Sequence, residues 1–219
     1  MSVNVNAYQQ LKASLTAQGV TLLAVSKKKP IADIEALYQL GHRDFAENYV
    51  QELVEKQPQL PSDIRWYFIG HLQRNKVKYI APFCTQIQSV DSLSLLQEIN
   101  KQAQKCGRVI DVLLQVHIAS EETKFGFDEQ EVFSVLEQGS LFANVRIKGL
   151  MGMASFTENT DQVQREFSTL KSIFDRARQQ FTELSLDTLS MGMSGDYPLA
   201  LRWGSTMVRV GSLLFGARS

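Results

Sequence analysis

Val20–Pro30 reads VTLLAVSKKKP: six apolar or β-branched residues, then a serine, three lysines and a proline. A short apolar run of this kind, stopped by polar residues, marks a buried strand that opens into a loop. Pro30 stands at the first helical position ahead of Ile31, Ile34, Leu37 and Tyr38, whose three- and four-residue spacing gives one apolar face. Gly41 then ends that helix. Strand, polar loop and amphipathic helix make one βα unit, and repetition of the unit makes a parallel sheet.

The unit repeats down the chain. About eight apolar runs are visible: Val20–Val25, Asp44–Ala46, Arg65–Ile69, Gln86–Val90, Val109–Val116, Ile147–Met151, Asp187–Ser190 and Met207–Val210. The second and seventh carry the least apolar signal. Between them lie helical patterns, one capped by Asp91 ahead of Leu95, Leu96 and Ile99. The longest, about residues 160–181, buries Val163, Phe167, Leu170, Ile173, Phe174 and Ala177 on one face. Neither linker nor low-complexity tract interrupts the series. Eight strands with intervening helices predict an α/β fold, a single (β/α)8 TIM barrel occupying residues 1–219 as one domain. A doubly wound open sheet is the alternative, but eight strands would be a large open sheet for this chain.

Composition narrows the function. The 219 residues are 44% hydrophobic and 21% charged, enough apolar matter for a core. Lysine plus arginine number 23 and so do aspartate plus glutamate, so no net field favours nucleic acid or an anionic membrane. Cys84 and Cys106 are far apart and form no metal-ligand spacing, so they read as ordinary cytosolic thiols with no metal expected. The N-terminus shows no leader, and no apolar stretch is long enough to cross a bilayer. A cytoplasmic protein acting on a small molecule is expected.

In a barrel of this type the site is built from the loops that follow the strands. Side chains alternate along a strand, so if Leu23 and Val25 face the interior, Lys27 faces it too and its amine points into the mouth. Partial desolvation near another cation favours the neutral amine, the form that attacks a carbonyl. The competing reading is a solvated basic run ahead of a helix, which Lys28 and Lys29 fit. Gly204–Gly216, GSTMVRVGSLLFG, ends a strand in Gly211-Ser212, where backbone N–H groups and a hydroxyl suit a phosphate monoester, and Ser194 in the neighbouring loop adds another hydroxyl. The glycines could equally serve turns alone. Arg209 alternates with Val208 and Val210 inside a strand, so it needs an acceptor: a ligand, or a barrel carboxylate such as Glu47. His71 either contacts a ligand or caps a helix near Leu72, while His42 and His117 fall at a helix terminus and in a loop. Met151, Met153, Met191 and Met193 read as fillers of irregular apolar space. Arg74, Lys76 and Lys78 read as a solvated helix face.

The segments LLAVSKKKP (Leu22–Pro30), FAENYVQE (Phe45–Glu52), WYFIGHLQRNK (Trp66–Lys76), KGLMGM (Lys148–Met153), LSMGMSGDY (Leu189–Tyr197) and GSTMVRVGSLLFG closely resemble the pyridoxal phosphate homeostasis protein family, the YggS/PROSC type. Their order covers nearly the whole chain. The resemblance implies a barrel like the N-terminal domain of alanine racemase with pyridoxal 5'-phosphate (PLP) bound as an aldimine on Lys27. It also implies that Asn48 lies near the cofactor, that Ser194, Gly211 and Ser212 contact its phosphate, and that Arg209 lies near its pyridine nitrogen. The chain departs from the family pattern at Lys28, Ala46 and His117, where threonine, glycine and often asparagine are usual.

The function expected from the resemblance is PLP binding in intracellular vitamin B6 and amino-acid homeostasis, without robust catalysis and as a monomer, with apo PLP-dependent enzymes as recipients. A racemase needs a second acid/base on the opposite face of its substrate, and one barrel uses up these 219 residues. An arginine beside the pyridine also weakens the ring as an electron sink. A PLP-dependent racemase is the second reading, and a cofactor-free barrel enzyme acting on a sugar phosphate is the third.

Overall fold

The eight strands of the structure, a computed structural model that describes residues 3–120 and 125–216, fall where the apolar runs stand. They are β1 (Thr21–Val25), β2 (Asp44–Glu47), β3 (Arg65–Phe68), β4 (Gln86–Val90), β5 (Ile110–Val116), β6 (Val145–Gly152), β7 (Thr188–Met193) and β8 (Met207–Val210). All neighbours run parallel, and β8 pairs with β1 to close the barrel, with Leu23 opposite Arg209. The (β/α)8 expectation holds, and the open-sheet alternative does not.

Alternation divides the apolar residues into two layers. Leu22, Ala24, Phe45, Phe68 and Ile87 point outward and pack under the helices, while Leu23, Val25, Ala46, Tyr67 and Met207 form a separate cluster inside the barrel. The outer layer carries most of the apolar burial. Helices α1 (Val5–Ala17), α2 (Ile31–Gln39), α3 (Val50–Lys56), α4 (Val77–Ile80), α5 (Leu93–Lys105), α6 (Glu129–Glu137), α7 (Thr160–Gln180), α8 (Tyr197–Arg202) and α9 (Ser212–Phe215) surround it. On α7, Val163, Phe167, Leu170, Ile173, Phe174 and Ala177 are all buried, as their spacing requires. Full burial of a leucine or phenylalanine stabilises by roughly 1.5–3 kcal/mol, so this one face anchors the helix.

Several boundaries move for local reasons. Pro30 has ψ 157° and stands just outside α2, which begins at Ile31. The cap of α5 is Ser92, whose side chain accepts from Leu95 N–H, and not Asp91. The seventh strand runs on to Met193, and the sixth starts earlier, at Val145. In β6 the register against β5 slips between Ile147 and Gly149. Gly149 has φ 150°, and a Cβ there would lie 1.8 Å from Thr188 O, so only glycine lets β6 and β7 approach this closely.

Opposite the loops of the site, Arg65 donates two hydrogen bonds of 2.6 Å to Asp44, and Tyr67 donates a third at 3.0 Å. Burial opposes the Asp44 charge, but the bonds from Arg65 outweigh it and hold the carboxyl below the usual range. Among the described residues no helix is long and apolar enough to cross a membrane, and no cluster of metal-ligating side chains occurs.

Candidate functional site

A cleft of 450 Å³ opens among the loops after the strands, and Lys27, Asn48, Ser194, Arg209, Gly211 and Ser212 all line it. These are the six residues singled out in the sequence, drawn together from the ends of β1, β2, β7 and β8. Val25, Ile69, Met153, Phe156 and Val163 give it an apolar lining.

Lys27 follows Ser26 just beyond β1 and is partly buried, whereas Lys28 is exposed. Lys28 adopts φ 58°, a left-handed conformation that costs a non-glycine residue roughly 1–2 kcal/mol. Its N–H donates to Glu52 Oε1 at 2.6 Å, which offsets the strain and pins the turn. Lys29 also lines the cleft, donating from Nζ to Phe215 O at 2.8 Å, so it is not merely part of a solvated run.

Arg209 is 3% exposed. It does not pair with Glu47. Its Nη1 donates to Ser190 Oγ at 2.7 Å and its Nη2 to Gly152 O at 3.0 Å. Glu47 faces the other side of the sheet, where Ser26 Oγ donates to it at 2.7 Å and Lys56 Nζ at 2.9 Å. Burial pulls the Arg209 guanidinium down to about 10, still charged at neutral pH, while the charge of Asp196 at the mouth acts in the opposite sense. A buried cation whose protein partners are a hydroxyl and a carbonyl is suited to an electron-rich ligand atom.

Just beyond Arg209, the loops after β7 and β8 are tied together because Gly211 N–H donates to Ser194 Oγ at 3.2 Å. Ser212 begins α9 beside them. Asn48 Oδ1 is buried and has no hydrogen-bond partner, a vacancy that a polar ligand would fill. Gly70, after β3, lies so close to this strand end that a Cβ would come within 2.0 Å of Asn48 O.

Other sequence candidates lie elsewhere. His71 caps no helix and lines no part of the cleft; its ring meets Asp91 at 3.1 Å and stacks on Phe125. His42 is buried behind β2. Of the four methionines read as fillers, Met151 and Met191 are fully buried, but Met153 and Met193 line the cleft. Sequence reading missed Ser155 and Thr157 in the cleft wall, and it missed Gln88 and Ser190 beneath Arg209. Polar residues on alternate positions of β4 were the available signal for Gln86 and Gln88.

Comparison with known proteins places this geometry. The family described as "Alanine racemase, N-terminal domain" matches residues 5–219. The pyridoxal phosphate homeostasis protein of Synechocystis sp. is 40% identical over 215 residues, covering 97% of this chain and 98% of that one. That of Pasteurella multocida is 38% identical over 218 residues, covering 97% and 92%. The chain belongs to the pyridoxal phosphate homeostasis protein family. Among solved structures, PipY of Synechococcus elongatus PCC7942, determined without PLP, is similar with a TM-score of 0.89 and 38% identity, covering 94% of this chain and 99% of that one. A second PipY structure has PLP bound, with a TM-score of 0.86 and the same identity and coverage. Membership in the pyridoxal phosphate homeostasis protein family agrees with the barrel and with the resemblance carried by the six sequence segments.

Proposed function

We propose that this chain binds pyridoxal 5'-phosphate in the cleft through Lys27 and serves intracellular PLP and amino-acid homeostasis without robust catalysis of its own. The observation that carries the reading is the convergence of Lys27, Arg209 and the Ser194–Gly211–Ser212 corner on one 450 Å³ cleft. The homeostasis names of the relatives and the PLP bound to PipY support it.

The residues present fit the group. The Lys27 amine adds to the cofactor's aldehyde with loss of water, leaving a covalent nitrogen–carbon link. Ser194, Ser212 and Gly211 N–H hold the phosphate, and Lys29 adds positive charge on that side. Asn48 offers its Oδ1 near the ring, and Arg209 approaches the pyridine nitrogen with a guanidinium that donates N–H and has no lone pair with which to take a proton from it. When bound, the cofactor supplies an electron-withdrawing ring and aldehyde; an arginine at its nitrogen keeps that ring a weak sink.

The wall of the cleft supports the reading of weak catalysis. Among the described residues its titratable side chains are Lys27, Lys29, Asp196 and Arg209, and the one carboxylate, Asp196, is engaged by Met193 N–H at 2.6 Å. Racemisation needs acid/base groups on both faces of a substrate. We place the protein in the cytoplasm as a monomer that passes PLP to apo-enzymes. A racemase-type activity is the second reading, favoured by the match to the alanine racemase N-terminal domain.

The purified protein is expected to show a visible absorbance band that borohydride abolishes, with the reduced adduct mapped to Lys27 and lost in Lys27→Ala. Absence of the band overturns PLP binding, and an adduct on Lys28 overturns the assignment. Turnover of any common amino acid by the PLP-loaded protein would favour the second reading.

A further inference from the structure

Beneath the cleft a chain of side-chain hydrogen bonds crosses the inside of the barrel from β8 through β7 to β4. Arg209 Nη1 donates to Ser190 Oγ at 2.7 Å, Ser190 Oγ donates to Gln88 Oε1 at 2.8 Å, and Gln88 Nε2 donates to Gln86 Oε1 at 2.9 Å and meets Met207 Sδ at 2.9 Å. Ser190 and Gln88 are completely buried, and Gln86 is 5% exposed.

The chain has one direction. A guanidinium only donates, so Ser190 must accept from it, and the single hydroxyl proton is then committed to Gln88 Oε1. The amide of Gln88 is thereby oriented with its N–H₂ group toward Gln86 and Met207. Every member below Arg209 is neutral. A glutamate at position 88 would have the same shape and accept the same bond from Ser190, but it would set a negative charge close to the guanidinium in a medium where charges are poorly screened. Among the described residues the other charged side chains of the cleft wall are Lys27 and Lys29 after β1 and Asp196 after β7, and the Asp196 charge acts on Arg209 from the cleft side.

On the reading that Arg209 faces the ring nitrogen of bound PLP, which this inference requires, we propose that Gln88, acting through Ser190, is a positioning residue that aims Arg209 while leaving its charge unneutralised. It is a specificity element for the cofactor's protonation state. The guanidinium then discourages a proton on the ring nitrogen because no anion beneath it compensates.

The test uses the full chain loaded with PLP labelled at the ring nitrogen, comparing wild type, Gln88→Glu and Ser190→Ala at neutral pH. Wild type is expected to show the NMR signal of an unprotonated, hydrogen-bonded ring nitrogen. Gln88→Glu is expected to move that signal toward the protonated form. Ser190→Ala removes the acceptor and is expected to raise the PLP dissociation constant roughly tenfold with the apo-protein still folded by circular dichroism. A Gln88→Glu protein that binds PLP with the wild-type signal overturns the inference and leaves the proposed function standing. Should Gln88→Glu not fold, an unchanged dissociation constant in Ser190→Ala overturns it. Wild type that binds no PLP overturns both.

Discussion

Lys56 Nζ lies 2.9 Å from Glu47 Oε1, and both side chains are sealed from water behind the turn that carries Lys27. The same ammonium donates to Ser26 O at 2.9 Å and to Glu52 Oε1 at 2.6 Å, and Glu52 in turn accepts from Lys28 N–H. The ion pair is therefore the underside of the site: it fixes Ser26 and Lys28 on either side of Lys27. Burial raises the Glu47 carboxyl above its ordinary value, against the pull of Lys56 and Ser26.

Removing one partner is far worse than removing both. Lys56→Met strands Glu47 as a buried charge, and urea unfolding is expected to show a loss of roughly 3–5 kcal/mol. Adding Glu47→Gln to Lys56→Met is expected to restore part of it, because the second change removes the stranded charge. A single-variant loss under about 1 kcal/mol would show that water reaches Glu47 and that the pair does not hold the turn.

His42 is expected to give a pH dependence whose sign follows from its burial. Its Nε2–H donates to Asp44 O at 2.8 Å, while Nδ1 is buried without a partner and the ring lies edge-on between Tyr8 and Phe45. A second proton would sit on Nδ1 among hydrocarbon, so burial lowers the ring from 6.5 to about 4. The folded-state value lies below the unfolded one. The contribution to stability is thus present in full above 6.5 and is lost as pH falls toward about 4, amounting to up to about 3 kcal/mol. In His42→Gln, which keeps a donor for Asp44 O, the slope of stability against pH across that window is expected to flatten. A variant with the wild-type slope would assign the pH dependence to other groups.

These two clusters mark where sequence reading stops. Alternation in VTLLAV was enough to send Leu23, Val25 and Lys27 inward, because inside and outside of a barrel strand differ by one residue and nothing else. The glycine–serine corner was legible for a similar reason, since backbone exposure is a local property. The fate of Arg209 was not. Glu47 was the protein partner that the sequence offered, and the acceptor actually used, Ser190, depends on which face of β2 Glu47 occupies and on the bulge that carries β7 to Met193. Lys56, nine residues from Glu47 and one helix away, shows no local mark that separates it from a solvated helical lysine. Long-range pairing of polar groups has no period, so periodicity cannot reveal it.

At the phosphate corner the hydroxyl of Ser212 stands at the first residue of α9, in the cleft wall with Ser194 and Gly211. On the proposed reading Ser212→Ala deletes one hydrogen bond to the phosphate and is expected to weaken PLP retention by roughly 1 kcal/mol or more, read as a raised dissociation constant after dialysis. Because the change leaves no buried donor behind, thermal unfolding of the apo-protein is expected to stay near wild type. Unchanged dissociation would move the phosphate away from this corner.

Glu166 on α7 holds the remaining wall. Its carboxylate accepts from Ser155 N–H at 2.6 Å, Ser155 Oγ at 2.7 Å, Gln162 Nε2 at 3.1 Å and Ser120 N–H at 3.3 Å, joining the loops that follow β5 and β6. Burial alone would raise its pKa, yet the bonds from Ser155, Gln162 and Ser120 hold it below the ordinary glutamate value. A depressed carboxylate stabilises the fold in full above the unfolded value of about 4.3 and loses that contribution as pH falls below it and through the lower folded-state value. Glu166→Gln keeps the shape but turns an acceptor into an amide whose N–H₂ faces Ser155 or Ser120 donors. It is expected to lower stability by roughly 1.5–3 kcal/mol, the scale of hydrogen bonds to a charged group, and to weaken the acid limb of the pH profile. Hydrogen exchange is expected to rise at the amide of Ser155 and its neighbours in the cleft wall while β1 and β8 keep wild-type protection. Exchange that rises evenly across the barrel would mean that Glu166 supports the global fold and not this wall.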